Sequence, residues 1–508
     1  MKIDQSPIAN LELAVNIPAQ DVSRSNACPT QTQGPEDSGP DEHQYPNLSR
    51  IRTFLLVAVI SITALLTVLN SQSIVIILPE LGNAMRIPSS RQQLVVSIYN
   101  ISTGSVMLLW GRLADVYGRR LGFLSGSVIF TLSTLCLPWS RHEIPFYVLR
   151  AVQGMSAAAI MPSGIGIMAS TFAPGPSRNM GFIAMSAMAS LGSVVGSLLG
   201  GFVGSTLGWK WVFWIPAAAS AFTTATGWFV TAGHTTRTTP QGTTENTESS
   251  KKLYVDWIGG GLISSSLTLL LVAITQGNVF GWSTPWIPPL LAVSLLLLGG
   301  FIFYQRRLEI DTDRIPLMRI MSFMCIKLTW QNYQKYQGLG ELQTTLRFLP
   351  AGISGLLISF AVFPALNHLP YFIVLVVGLS CSVASPFLFA IPSIPPSTTY
   401  WAWGFPAMCL CMSVEIVWPV FSLLTAKSLP QEDQSLGGGL LQTVNNVGRA
   451  LGLAIATAIQ TAIAGDINNE RGSNIYLDGL RAAQWFNFTL AVTGILLALV
   501  FFRGLDKS

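Results

Sequence analysis

Charged side chains are scarce in this sequence. Asp, Glu, Lys and Arg together make up 10% of its 508 residues, against about 25% in an ordinary soluble domain. Hydrophobic types reach 50% and the mean hydropathy is +0.50. This balance excludes a typical soluble enzyme and predicts long apolar segments of the kind that cross a lipid bilayer as helices. We therefore expect an all-α polytopic membrane protein.

Groups that bind metals or nucleotides are also few. The four histidines fall in predicted tails or loops, and the six cysteines lie mostly inside apolar runs without the spacing of metal ligands. The phosphate-cradling pattern G-x-x-x-x-G-K-[ST] does not occur. The net charge of +5 fits loop cations that orient a membrane chain better than a nucleic-acid partner. We expect no enzyme activity, no cofactor, no metal site and no nucleic-acid partner.

The first 50 residues differ in composition from the rest of the chain. They hold six prolines and seven acidic side chains. Such a segment cannot bury enough apolar surface to order itself, and it lacks the charged start and short apolar core of a secretory signal. We expect residues 1–50 to form a disordered cytoplasmic tail that stays attached.

Thirteen apolar windows follow this tail, and each is a predicted membrane span. They lie at 54–78, 94–110, 121–138, 144–172, 180–206, 211–232, 258–274, 287–304, 348–363, 371–391, 401–424, 440–464 and 486–502. The predicted divisions are an N-terminal six-helix bundle (51–232), a flexible cytoplasmic loop (233–256), two extra spans (257–304), an irregular region (305–345), a C-terminal helix bundle (346–502) and a short tail (503–508).

The irregular region contains a segment that is only partly suited to crossing a membrane. Ile315 to Trp330 is apolar over 16 residues but carries Arg319 and Lys327, and each cation costs about 2.5 to 3.5 kcal/mol at a helix centre. One interpretation is a truncated span at about 315–336, which leaves thirteen spans and termini on opposite sides. The other is a short, tilted fourteenth span whose cations reach the interface.

The loop between the second and third windows carries the most specific local pattern, Gly111-Arg-Leu-Ala-Asp-Val-Tyr-Gly-Arg-Arg120. Its glycines permit a short turn, and its acid among arginines can form charge-assisted pairs at the membrane face. The pattern resembles the loop signature G-x-L-a-D-r-x-G-r-r of the major facilitator superfamily, in which this loop gates the cytoplasmic face. The gate residues that the resemblance implies are Gly111, Arg112, Asp115, Gly118, Arg119 and Arg120.

Two further stretches carry the same resemblance. Arg150, Gln153 and Gly154 are similar to the fourth-helix motif of proton-coupled members, where the arginine lies in the membrane. A glycine series resembles the fifth-helix motif of drug exporters. Glycines four residues apart share one helix face and allow close backbone contact with a neighbouring helix. These are Gly192, Gly196, Gly200 and Gly201.

The resemblance covers residue 50 to the carboxyl end and is strongest for fungal-type drug:proton antiporters with fourteen spans. It implies the major facilitator fold, in which two six-helix bundles carry two extra central spans between them. It also implies alternating access of the two bundles around a site near the membrane midplane.

Polar residues within the spans supply the candidate site, since ionisable groups at membrane depth nearly always face a bundle interior. Glu415 is the one acid well within a predicted span, so Glu415 and Arg150 are the proton-coupling candidates. A permanent ion pair, or a protonated glutamate bonded to a neighbouring helix, are the alternatives. The expected substrate-cavity residues are Asn70, Trp418, Gln442, Asn445 and Asn446; hydrogen bonding between helices is the alternative for the amides.

Three classes of function remain open. The first is proton-coupled efflux of drugs, toxins or secondary metabolites, with a small molecule, protons and the lipid bilayer as partners. The second is an importer or an inorganic-ion exporter on the same fold, and the third is a transport-defective paralogue. We expect a monomer in the plasma membrane, with the vacuolar membrane as the alternative.

Overall fold

The computed structural model describes residues 49–231, 255–308, 341–391, 400–411, 413–430, 433–464 and 474–502. In these ranges the regular structure is helical, and the expected all-α fold is confirmed. The helices are α1 Arg50–Met85, α2 Ser89–Tyr117, α3 Arg119–Cys136, α4 Glu143–Thr171, α5 Pro176–Leu198, α6 Gly204–Leu207, α7 Trp211–Val230, α8 Trp257–Phe280, α9 Ile287–Leu308, α10 Glu341–His368, α11 Tyr371–Ala390, α12 Tyr400–Leu410, α13 Ser413–Ser428, α14 Gln434–Ala464 and α15 Asn474–Phe501.

The length and apolarity of the helices fit a polytopic membrane protein. Among the described residues, eleven helical stretches are long and apolar enough to cross a membrane. Each of the thirteen predicted windows overlaps a helix. The irregular segment at 315–336 and the tail at 1–48 lie outside the described residues, so the predicted boundaries at 305–345 stay predictions.

Helix ends follow local sequence where the chain must turn. α1 begins after Ser49, whose hydroxyl accepts a hydrogen bond from the Arg52 amide at 3.4 Å. α8 begins after Asp256, whose carboxylate accepts one from the Gly259 amide at 2.8 Å. Such side chains satisfy amide groups that have no partner inside the helix. Gly118 joins α2 to α3 with a φ of 111°, a conformation that glycine adopts without steric cost.

Helices α1 to α7 form one packed group, which we call the N-terminal half. In it α1 packs along α5, α2 packs along α4, and α3 lies against α4 and α7. Three glycines explain the close α1–α5 contact. A Cβ added to Gly196 would lie 2.7 Å from the Leu69 carbonyl oxygen, and one added to Gly200 would lie 2.6 Å from that of Ser73; Gly192 meets the Leu65 backbone in the same way.

Helices α10 to α15 form the second group, which we call the C-terminal half. α11 packs against α13 and α15, and α14 packs against α15. The two halves meet mainly along four pairs of helices: α2 and α4 each contact α14, and α5 contacts both α10 and α13. α8 lies against α2 and α14, and α9 lies against α8. Only 11% of the apolar window of α9 is buried, so this helix presents most of its surface to the surroundings of the bundle.

One predicted span corresponds to two of the helices given above. The window at 401–424 is divided into α12, which ends at Leu410, and α13, which begins at Ser413. The Cys411 amide bonds to the Met408 carbonyl at 3.2 Å, a tightened turn. Glu415 lies in the first turn of α13.

Candidate functional site

A cavity of about 270 Å³ lies between the two halves. Its walls come from α1, α2, α4 and α5 on one side and from α10, α13 and α14 on the other. Apolar side chains such as Met161, Met185 and Trp418 form part of the lining. The volume is near the lower end of the roughly 300–1,000 Å³ typical of ligand pockets. The cavity therefore suits a small molecule with a largely apolar body.

One face of α14 supplies a polar strip to this cavity. Gln442, Asn445, Asn446 and Arg449 all line it, and their spacing of three and four residues puts them on one helix face. The Asn445 amide donates to the Gln442 carbonyl oxygen at 3.4 Å, and the Asn445 oxygen is buried without a hydrogen-bond partner in the described structure. Arg449 donates to the Asn100 side chain of α2 at 3.0 Å.

Glu415 also lines the cavity, and the residue is only 5% exposed. Ser186 on α5 donates to one carboxylate oxygen at 2.8 Å, and Ser190 on the same helix donates to the other. Sequence analysis did not single out these serines. Their spacing of four residues on a predicted span was the available signal, but serines in membrane helices are common and the spacing alone is weak.

Three polar candidate residues, Asn70, Arg150 and Gln153, lie in the interior of the N-terminal half, where each is fully buried. Arg150 is fully buried and bonds to Gln153 and, at 3.4 Å, to the Val95 carbonyl. Gln153 in turn donates to Thr134 at 2.6 Å and to Asn70 at 3.4 Å.

Neither Asn70 nor Arg150 is part of the cavity lining. Asn70 is thus outside the cavity in this conformation, because its side-chain amide bonds to Leu66 and Gln153 inside the half; its expected role toward a substrate stays a prediction. In the described part of the chain Arg150 pairs with neutral groups only, among them the Tyr99 ring at 4.6 Å. An ion pair between Arg150 and Glu415 is not formed.

The gate motif lies where α2 and α3 meet the start of α14. The buried Asp115 carboxylate is 2.9 Å from the Arg119 guanidinium. It also accepts hydrogen bonds from the backbone amides of Leu436 at 2.7 Å and Ser435 at 3.2 Å. These amides belong to the first turn of α14, where a negative charge is favoured by unpaired N–H groups and the helix dipole. Asp115 thus joins the two halves.

Other motif residues act at the same end. Arg112 forms an ion pair with Asp433 at 2.6 Å, and Arg119 donates to the Gly166 carbonyl at 3.2 Å. A Cβ added to Gly111 would lie 2.8 Å from the Ser435 carbonyl oxygen, so this glycine allows α2 and α14 to approach. The Arg120 Nε atom is buried and makes no hydrogen bond within the described ranges.

A second set of contacts between the halves lies at the start of α5, and sequence analysis missed it. Arg178 donates to the Ala426 carbonyl at 3.1 Å, and Asn179 donates to the Asn367 side chain at 2.9 Å. Asp115 lies where α2 ends and α3 begins. The chain crosses the bundle once in α3 and back in α4, so the start of α5, which follows α4, lies at the same end of the molecule as Asp115. This end of the cavity is closed by bonds between the two halves.

The remaining motif residues act in packing. Thr103 of α2 donates to the carbonyl of Gly154 at 3.0 Å, and a Cβ on Gly154 would meet the Tyr99 backbone. Gly192 and Gly196 of α5 face α1, as described above. Gly200 also faces α1, and it is buried together with Gly201 in a wide helical turn at Leu199–Val203. The fourth-helix and fifth-helix motifs therefore hold α4 and α5 against α2 and α1.

Comparison with known proteins agrees with this architecture. Relatives include the efflux pump terJ of Aspergillus terreus, 27% identical over 468 residues, which are 88% of this chain and 87% of the relative. The low affinity ammonium transporter of Saccharomyces cerevisiae is 27% identical over 421 residues, 79% of each protein. The crystal structure of the human organic anion transporter MFSD10 has a TM-score of 0.61 and 17% identity, covering 88% of this chain and 99% of that one, which shows a shared fold.

The family expected from the loop and helix motifs is confirmed by a match to the whole central part of the chain. The sequence model of the Major Facilitator Superfamily covers residues 60–453, and fungal efflux pumps are among the relatives. The chain is thus a multi-pass membrane transporter and belongs to the major facilitator superfamily.

Proposed function

We propose that this transporter exports small organic compounds in exchange for protons, with Glu415 as the side chain that takes up and releases the proton. The observation that carries the proposal is the buried Glu415 carboxylate in the lining of the central cavity. A carrier driven by a proton gradient needs a group that changes charge within reach of its cargo. Burial favours the neutral acid and bonds from donors favour the carboxylate, so this group can hold either state.

The cavity supports an organic cargo. Trp418, Met161 and Met185 offer apolar surface, while Gln442 and Asn445 offer amide groups that can orient a polar substituent. Pockets for small molecules combine these two kinds of lining. The likeness to the efflux pump terJ over 88% of the chain supports export as the direction.

The contacts at the Asp115 end support alternating access. In the proposed cycle Gly111, Arg112, Asp115, Gly118, Arg119 and Arg120 form the cytoplasmic gate, which is closed in this conformation. The cavity would then exchange with the opposite side of the membrane, and opening the gate would expose it to the cytoplasm. The fourth-helix residues Arg150, Gln153 and Gly154 and the fifth-helix glycines keep the N-terminal half rigid as it moves. We propose that a single chain acts as the unit, in the plasma membrane.

One comparison favours a second candidate. The low affinity ammonium transporter matches 79% of this chain at the same identity as terJ, so transport of a small inorganic cation is the alternative. Its cargo would use the Glu415 carboxylate and the serine hydroxyls rather than the apolar wall.

The test is accumulation of a panel of fluorescent and cytotoxic organic compounds in cells with and without the chain, in the presence and absence of a protonophore. We expect lower accumulation of some compounds with the chain, and loss of this effect with the protonophore. Glu415→Gln should reach the membrane and no longer respond to the proton gradient. Glu143→Gln is the matched control, because this glutamate forms an exposed ion pair with Arg91 at the start of α4.

Three results would contradict the proposal. Normal proton-dependent export by Glu415→Gln would remove this residue from coupling. Export that is unchanged by the protonophore would show that the proton gradient does not drive transport. Ammonium or methylammonium transport without any effect on organic compounds would favour the second candidate.

A further inference from the structure

Two serines of the N-terminal half hold the carboxylate of the C-terminal half. Ser186 donates to Glu415 Oε2 at 2.8 Å, and Ser190 donates to Oε1. Ser186 is 5% exposed, as is Glu415. Because the serines are four residues apart on α5, they point from one helix face. Each carboxylate oxygen therefore accepts a hydroxyl bond from across the boundary between the halves.

This arrangement distinguishes the two protonation states of Glu415. An ionised carboxylate accepts bonds at both oxygens, whereas a protonated carboxyl carries one donor of its own. Hydrogen bonds to a charged acceptor are stronger than those between neutral groups. The serine pair therefore stabilises the ionised form more than the neutral form, as hydrogen bonding to a charged group does in general.

Within the described residues, few other charged or titratable side chains line the cavity beside Glu415. The helices with the main contacts to α13 are α5, α10, α11 and α14. Among their described residues, Arg449 of α14 is the charged side chain that lines the same cavity. Tyr99 of α2 and Cys411, at the turn before α13, are the titratable groups in that lining besides Glu415. The positive charge of Arg449 stabilises the ionised form of Glu415, as the two serines do.

The contact depends on close approach of α5, α10 and α13. A Cβ added to Gly355 of α10 would lie 3.3 Å from Glu415 Cγ and 3.7 Å from Ser190 Cβ. The two side chains thus meet beside a glycine, and a small separation of the helices breaks the hydroxyl bonds. A hydrogen bond is weak beyond about 3.5 Å, so movement of this order is enough.

We propose that Ser186 and Ser190 are positioning residues that couple the proton on Glu415 to the arrangement of the two halves. In the conformation described here they hold the ionised carboxylate. When α5 and α13 separate, the serine bonds are lost and a proton from the aqueous cavity binds to one carboxylate oxygen. By linkage, protonation of Glu415 favours separation of the helices to the same extent. This inference rests on the proposed role of Glu415 as proton carrier.

The test measures protonation of the purified protein directly, without a substrate. Infrared spectra recorded over a pH series detect protonated carboxyl groups, and the difference between the wild-type protein and Glu415→Gln assigns the Glu415 band. We expect the midpoint of this band to move to higher pH by at least about one unit in the Ser186→Ala, Ser190→Ala double variant, because the loss of even one charge-assisted hydrogen bond corresponds to a shift of about one to two units.

Two variants control for packing. Ser193→Ala alters a neighbouring serine of α5 that lines the cavity and accepts a bond from Gln72 at 3.3 Å. It should leave the Glu415 midpoint unchanged. Threonine at 186 and 190 keeps both hydroxyls and should restore the wild-type midpoint. If the double alanine variant does not fold, each single alanine variant should give a smaller shift in the same direction.

The outcomes separate this inference from the proposed function. A Glu415 band that titrates with the same midpoint in wild-type and alanine variants overturns the serine role and leaves Glu415 as a proton carrier. The absence of any titrating band that depends on Glu415 overturns both. An equal shift in Ser193→Ala would show a general packing effect and overturn the specific role of the pair.

Discussion

Arg112 and Asp433 join the two halves through an ion pair in which Nη1 lies 2.6 Å from Oδ1. Arg112 lies in α2, and Asp433 directly precedes α14. The side chains are 29% and 35% exposed, and exposed pairs contribute only about 0 to 1 kcal/mol. The contact is therefore strong enough to bias two conformations that differ by a similar free energy, and weak enough to be broken in each transport cycle.

Charge reversal should show this bias. Arg112→Glu or Asp433→Arg alone places like charges together and should increase the population that is open at this end by about two- to fivefold. The double reversal should restore the wild-type population. The reporter is alkylation of Cys411, which lines the cavity, in a variant whose other cysteines are replaced.

The labelling is done with an impermeant reagent on vesicles that present the α2–α3 end to the medium. Each single variant should be labelled faster than the parent, and the double variant at the parental rate. If both single variants are labelled at the parental rate, the ion pair does not contribute to closure.

Asp115→Asn should increase the population that is open at the α2–α3 end more than Arg112→Glu or Asp433→Arg does. The Asp115 side chain is 0% exposed, and its carboxylate binds two backbone amides of α14 as well as Arg119. An asparagine keeps one acceptor oxygen but presents an NH₂ group to one of these donors. Bonds to charged groups contribute about 1.5 to 3 kcal/mol, so the closed population should fall by about tenfold or more.

Transport by Asp115→Asn should fall while binding of a transported compound persists, because the cavity is not altered. Asp433→Asn is the control and should reduce transport less. Equal loss of binding and transport would show that Asp115 supports the cavity itself rather than the closed end.

Most of the helical fold is predictable from the sequence because spans are set by local composition. Apolar runs and turn glycines predict where helices lie, and α14 shows its polar face through the spacing of Gln442, Asn445 and Asn446. Which interior a buried polar residue faces is not local information. Asn70 and Arg150 lie in apolar segments as Glu415 does, yet they bond within one half, because each half has an interior of its own as well as a side toward the cavity.

Contacts between residues that are far apart in the sequence could not be predicted either. Ser186 and Glu415 are 229 residues apart, and Asn179 and Asn367 are 188 apart. A single sequence gives no sign of such pairs until the packing of the helices is known.

The glycine series on α5 predicts a strong position dependence. Gly196→Ala should destabilise the protein because the added Cβ would lie 2.7 Å from a backbone oxygen of α1, which cannot move aside as a flexible side chain can. Overpacking of this kind costs about 1 to 3 kcal/mol. Gly299→Ala on α9 is the control, since within the described structure no atom beyond its own helix backbone lies within 4 Å of the added Cβ.

Thermal unfolding of the purified protein in detergent measures the difference. Gly196→Ala should unfold several degrees below the wild-type protein, and Gly299→Ala should unfold at the wild-type temperature or slightly above it, because alanine favours helix. Equal stability of the two variants would mean that α1 and α5 are farther apart than the structure has them.

Arg150→Lys tests whether the buried arginine acts by its charge or by its shape. The guanidinium reaches the Val95 carbonyl, Gln153 and the Tyr99 ring together. A lysine keeps the positive charge but has no planar fork and cannot hold these groups in the same way. A buried cation that loses a bond bears its desolvation cost, about 1 to 3 kcal/mol or more. We therefore expect Arg150→Lys to lower the thermal unfolding midpoint by several degrees, whereas Arg91→Lys, at an exposed ion pair, should change it little. If Arg150→Lys instead retains full stability and loses proton-dependent export, Arg150 acts on coupling rather than on the packing of α4 against α2.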